Sequence, residues 1–206
     1  MARNSSRLFA AALLGAAGLL LSACIHNTAM DDLDYVTPGG DAFNQALYKN
    51  YAFLAHSFGN IGAAEHTVFD FDGSWSLNGT DDGVARLADA YAEKAVSAGK
   101  GEFVDPEPSR DPREHAVRDR LIQALESGRD GFARDAARAQ ADYDCWVLNR
   151  TVDSQKAAAE RCRASLDKTL PLLEAEVASA QKAAEKTAAK APQPGQPDEA
   201  AGQAAP

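Results

Sequence analysis

Side chains branched at Cβ are scarce in this chain while alanine is abundant, a balance that argues against a sheet protein and favours helices. Basic residues are in short supply as well, 21 Lys and Arg against 30 Asp and Glu. So acidic a chain repels phosphate-rich surfaces, which excludes nucleic acid and a face that adheres electrostatically to anionic headgroups. Histidines are few, and none stands at a zinc-ligand spacing such as His-x3-His. The adjacent pairs Glu65-His66 and Glu114-His115 face apart on a helix and cannot share a metal. Gly-x-Ser-x-Gly, phosphate-loop and dinucleotide fingerprints are missing, as is any repeat of about 34 residues. One long apolar run exists, Leu8 to Leu21, and it is shorter than the roughly 20 residues a spanning helix needs.

What is there begins at the amino terminus. Arg3 and Arg7 make a positive start, the uncharged Leu8–Leu21 run comes next, and Ser22-Ala23 leads into a cysteine. Leu21-Ser22-Ala23-Cys24 resembles the lipobox of bacterial lipoproteins. The resemblance implies cleavage between Ala23 and Cys24, a diacylglyceryl group on the Cys24 thiol and an acylated amine. Two or three acyl chains on one residue hold a protein where one chain does so only marginally. An Asp after the modified cysteine favours inner-membrane retention in enteric-type sorting, so Ile25 points to the outer membrane. Removal of residues 1–23 also removes Arg3 and Arg7, leaving 19 basic against 30 acidic residues, a formal charge of −11.

Beyond Cys24, residues 24–40 carry turn formers and acid without apolar period and read as a lipidated tether. Helical periodicity starts at Asp41, a candidate N-cap, with Phe43, Leu47, Tyr51, Leu54 and Phe58 on one face. Gly59 is a possible stop, or the helix continues through Ala63-Ala64-Glu65. Residues 67–82 are the least helical part of the body. A second helix, capped by Asp81 or Asp82, carries Val84, Leu87, Ala88, Tyr91 and Ala95 up to Gly99. After the proline-rich stretch 104–112, a third carries Val117, Leu121 and Leu125 to Gly128, and a fourth Phe132, Ala136, Ala139, Tyr143 and Trp146. A fifth, from near Ser154, aligns Ala158, Cys162 and Leu166, with a kink or restart expected at Pro171 and a last stripe of Leu170, Leu173 and Val177. Residues 178–206 form a low-complexity Ala/Lys/Pro/Gln tail expected to be disordered, its first part to Lys190 at most a frayed, solvated helix. The expected architecture is all-α: about five helices in antiparallel hairpins over residues 41–177.

Cys145 and Cys162 form an even pair in a chain read as exported, which suggests a disulfide. If the last two helices make an antiparallel hairpin turning near Thr151–Ser154, both cysteines sit at matching heights. Two free thiols or a metal pair are the alternatives, although a metal needs further ligands and no histidine lies close in sequence.

Several segments together resemble a known type of domain. They are Phe43-Asn44-Gln45-Ala46-Leu47-Tyr48 through Tyr51 and Leu54-Ala55, Ala92-Glu93-Lys94-Ala95 with Gly101-Glu102, and Ala139-Gln140 leading to Tyr143-Asp144-Cys145-Trp146. Over roughly residues 41–170 these resemble the helical N-terminal region of proteobacterial OmpA-like lipoproteins, in which a second cysteine occurs about as far downstream. Such proteins continue into a domain that grips peptidoglycan. No Asp-plus-Arg segment of that kind can be placed in the mature sequence, so direct peptidoglycan binding is not carried over.

The remaining motifs are weak. Asp70-Phe71-Asp72-Gly73-Ser74 hints at a calcium loop, but an aromatic holds the second position and no Glu closes a twelve-residue loop. Ser97-Ala98-Gly99-Lys100 matches Ser-x-x-Lys without its companion motifs, and Ser179-Ala180-Gln181-Lys182 matches it equally well in the polar tail. Asn78-Gly79-Thr80 and Asn149-Arg150-Thr151 fit a glycosylation sequon that most bacteria cannot use. Trp75 and Trp146 read as packing residues. No catalytic, cofactor-binding or metal-binding residue is assigned. The expectation is a non-enzymatic lipoprotein anchored to the membrane through Cys24, its periplasmic helical domain a scaffold or interaction module for envelope proteins. The alternative is a tetratricopeptide-like adaptor that binds peptide segments of such proteins.

Overall fold

The computed structural model describes residues 29–65 and 82–190, and every element within them is helical. The elements are α1 (Ala29–Leu33), α2 (Ala42–Glu65), α3 (Asp82–Gly99), α4 (Pro112–Gly128), α5 (Ala133–Asn149), a 3-10 turn (Asp153–Gln155) and α6 (Lys156–Lys190).

Caps set the helix starts. Asp41 accepts the Asn44 amide at 2.7 Å, fixing the first turn of α2 as expected. Asp111 accepts the Arg113 and Glu114 amides at 2.9 and 3.0 Å, and Pro112 opens α4 where a missing N–H costs nothing. The Glu114 carboxylate reaches back to the Arg110 amide at 2.6 Å and closes the same turn from the other side.

Helices α2 and α3 run antiparallel, Phe58 stacking on Tyr91 with ring centroids 5.5 Å apart. Phe43, Leu47, Tyr51, Ala55 and Phe58 are the buried face of α2, and Leu54 is only partly covered. Gly59 does not stop α2. A side chain there would meet Met30 of α1 at 3.1 Å, so the glycine serves packing and the helix continues to Glu65. Helix α5 lies at the centre, against α2, α4 and α6, and buries its whole second half on all sides, including Gln140, Asp142, Asp144 and Asn149.

Three expectations need correction. Residues 29–40 are not a free tether. Leu33 is 2 % exposed in the core, Val36 packs on Gly99, and the Gly39 amide donates to the Gly99 carbonyl at 2.7 Å. Gly40 and Gly101, at φ +78° and +77°, abut so closely that a Cβ on Gly40 would lie 2.8 Å from the Gly101 Cα. At Gly101 the left-handed turn lets the Gly101 and Glu102 amides close α3 on the Ala98 and Ser97 carbonyls, both at 3.0 Å. Two left-handed glycines thus seal the N-terminal segment against the end of α3.

The second correction is at Pro171: of the kink or restart expected there, the restart does not occur, and α6 runs through the proline. It lies on the exposed side, between Leu170 and Leu173 that pack inward, so tertiary contacts on both flanks hold the helix across the missing hydrogen bond. Third, residues 178–190 are helix, not disordered tail. Residues 178–189 bury nothing, and the Ala, Lys, Glu and Gln content of the stretch extends a helix already nucleated by the docked part of α6. The expected disorder of residues 191–206 lies outside the described residues.

Candidate functional site

The resemblance segments of α2, α3 and α5 meet in one buried polar network. Asp144, fully buried on α5, accepts the Tyr51 hydroxyl of α2 at 2.5 Å and the Glu107 amide at 2.7 Å. Lys94 of α3 approaches it at 3.1 Å and also contacts the Glu107 carboxylate at 2.9 Å and the Asp105 carbonyl at 3.0 Å. Gln140, one turn before Asp144, donates to the Tyr51 oxygen at 3.3 Å and to the Val104 carbonyl at 2.8 Å. The network therefore straps residues 104–107, where proline excludes regular structure, onto three helices.

Burial raises the Asp144 carboxyl to about 6, against the opposing pull of Lys94, the Tyr51 hydroxyl and the Glu107 amide. Burial would lower Lys94, but the carboxylates of Asp144 and Glu107 outweigh it and raise the ammonium above its ordinary value. With three acceptors around its three N–H groups, Lys94 is a fixed cation, unsuited to nucleophilic work. Burial, with Asp144 adding to it, pushes the Tyr51 phenol well up, so it stays a donor. An open cavity of about 370 Å³ adjoins the network, lined by Glu93, Lys94, Ser97, Phe103 and Glu107 among others.

The second feature is the α5–α6 hairpin. Its turn spans Arg150–Gln155, close to the expected position, and brings Cys145 and Cys162 to disulfide distance with Cα atoms 5.7 Å apart. The Asn149 amide donates to the Cys145 sulfur at 3.1 Å. Farther along, Asp142 accepts Ser165 at 2.7 Å and Thr169 at 3.1 Å and pairs with Arg138 at 2.9 Å, so polar bonds continue the stitching of α5 to α6. Beside the cysteines runs a groove of about 200 Å³ between α2 and this hairpin, its rim formed by Phe53, which is 70 % exposed, with Leu54, Arg138, Asp142 and Arg161.

Of the residues singled out in the sequence, Ala23 and Cys24 lie outside the described residues, as do His66, Asp70–Ser74, Trp75 and Asn78–Thr80. His56 is exposed, and His115 is an exposed group between Ser109 at 3.2 Å and Asp119 at 3.5 Å. No hydrogen bond among the described residues joins Ser97 to Lys100, and Ser179 and Lys182 sit on the solvated part of α6. Trp146 packs edge-on to Tyr143 with centroids 6.1 Å apart, as its packing role requires. Among the described residues no three His, Cys, Asp or Glu side chains are grouped to hold a metal, and no helix is long and apolar enough to cross a membrane.

The Tyr51–Lys94–Asp144 network was not read from the sequence. Its signal was present: Gln140 and Asp144 stand at i, i+4 beside Tyr143 and Trp146, two polar residues bordering an apolar stripe. Searches against protein-family models, curated proteins and solved structures returned no match to this chain.

Proposed function

We propose that this protein is a lipoprotein of the bacterial cell envelope, anchored through acyl chains on Cys24, whose helical domain serves as a scaffold or interaction module in the periplasm. The observation that carries the reading is Leu21-Ser22-Ala23-Cys24 placed directly after a short apolar run that two arginines precede. The domain fits a holding role. Its buried polar groups are used to tie elements together, and its mature charge of −11 leaves the lipid as the attachment to an anionic membrane. Ile25 favours the outer membrane. Labelled palmitate should enter the wild-type chain and not Cys24→Ala, and equal incorporation into both would sink the anchor.

A second reading is favoured by the groove beside Cys145 and Cys162. An exposed aromatic at the rim of a cleft between helices, with arginines and a carboxylate along it, suits an adaptor that holds a peptide segment of another envelope protein. A photoreactive amino acid at position 53 should then crosslink in cells to one discrete partner, and the same probe at the exposed Glu126 should not. Equal crosslinking from both positions would remove the adaptor reading and leave the anchor untouched.

A further inference from the structure

We propose that the concavity over Trp146 is a binding site for a small oxyanion, a carboxylate or phosphate group. Arg113, Trp146, Arg150, Glu160 and Arg163 line a cavity of about 460 Å³. Three helices converge to make it: the first turn of α4 supplies Arg113, α5 supplies Trp146 with Arg150 just past its end, and α6 supplies Glu160 and Arg163. The indole is 6 % exposed and forms a fixed floor. The Arg163 guanidinium lies 4.5 Å from the ring centre and that of Arg150 5.6 Å.

Both heads are pinned at one end and unused at the other. Arg150 gives Nη1 to Asp111 at 2.9 Å and to Glu114 at 2.6 Å, which leaves Nε and Nη2 without a hydrogen bond among the described residues. Arg163 gives Nε and Nη2 to Asp167 at 3.3 and 2.8 Å, which leaves Nη1. Arg113 is exposed, and its side chain makes no ion pair among the described residues. Donors held by carboxylates behind them and an aromatic floor beneath them need little reorganisation to grip a planar oxyanion. The carboxylates of Asp111, Glu114, Asp167 and Glu160 offset the three guanidinium charges, so the site acts through its free N–H donors and not through a net positive charge.

Glu160 sets the kind of anion. It is exposed in the same cavity and has no ion pair among the described residues, so it opposes highly charged ligands. Together with the repulsion of an acidic body, this restricts the site to a small group with one or two charges and excludes a polyanion.

The test uses the full lipidated chain in neutral detergent with Trp75→Phe, so that Trp146 is the remaining tryptophan. Inorganic phosphate and acetate are titrated separately against sodium chloride of matched ionic strength. A saturable change in Trp146 emission with either anion is expected, and the anion that produces it identifies the chemistry. Arg113→Gln should weaken the response about tenfold or more, as loss of a charge-assisted contact does, with melting unchanged. Glu160→Gln should tighten it severalfold. Calorimetric titration of the unsubstituted chain should return the same dissociation constant. A response no larger than that of chloride, or one that neither substitution alters, would overturn the proposal.

Discussion

Replacing Asp144 by asparagine and following stability across pH tests the central network by the sign of an effect. Asp144 is fully buried, and burial holds its carboxyl at about 6, above the ordinary value of about 3.9 for a free side chain. A carboxyl raised in this way takes its proton in the folded state first. Between those two values the native protein binds more protons than the unfolded chain, so this group adds stability as pH falls. At 1.36 kcal/mol per pH unit the whole gap is worth about 3 kcal/mol, of which about 2 kcal/mol should have developed between pH 8 and pH 4.5. Lys94, raised above its already high ordinary value, stays charged throughout this window and does not blur it. The assay is urea unfolding monitored by helical circular dichroism, for wild type and Asp144→Asn at matched pH values. The difference between the two proteins cancels carboxylates elsewhere. Wild type should gain on the variant as the solution is acidified. If it loses ground instead, the bonds from Tyr51, Glu107 and Lys94 outweigh burial and the direction given for Asp144 is wrong.

Three more outcomes rest on the packing. Cys145 and Cys162 close a loop with a sequence separation of 17, so Cys145→Ala with Cys162→Ala should cost about 3 kcal/mol on chain-entropy grounds. Non-reducing peptide mass spectrometry should find the two joined, and two alkylatable thiols in the native protein would refute the pairing. Leu33→Ala should destabilise by roughly 2–4 kcal/mol, because the side chain is 2 % exposed in the core. A melting point equal to wild type would return residues 29–40 to the status of a tether. Ending the chain after Ala180 removes exposed residues of α6 together with residues 191–206, so melting should shift by no more than about 1 °C, in the range of surface changes.

The helices were legible where local chemistry and tertiary packing agree. Asp41 marks the start of α2 through a cap that acts within one turn, and the α3 and α4 stripes pack as periodicity demands. Legibility fails where a distant partner decides. Leu33 stands without a periodic neighbour in a polar stretch, and only the packing of α1 against α2 and α3 gives it a place. At Gly59 the sequence leaves a stop and continuation to Glu65 open, because glycine is a poor helix residue, and only the packing of Met30 of α1 against that glycine shows why the helix continues. On α5 the expected stripe is correct, but three neighbouring helices also cover the flanks, and what looks like a polar face becomes the interior. The i, i+4 pair Gln140 and Asp144 was the visible trace of the polar network, but its partners were not, since an acid such as Asp144 is tolerated in the core only with groups from α2, α3 and the 104–107 strap.

The packing of residues 29–40 bears on the proposed anchor. With Cys24 lipidated, four residues separate it from Ala29, where the folded body begins. Five Cα steps reach at most about 18 Å, so on that anchoring the domain would rest near the headgroups instead of swinging clear of them. Its orientation is constrained as well. Met30 lies against Gly59, which Ala88 also approaches, so the end of the body that follows Cys24 sits at the later part of α2 and the early part of α3. Gly40 and Gly101, and with them Phe103 and Arg129, lie toward the opposite end of that antiparallel pair. On the proposed anchoring, a partner in the periplasm would meet the end that the two glycines seal, with the membrane at the end nearest the lipid.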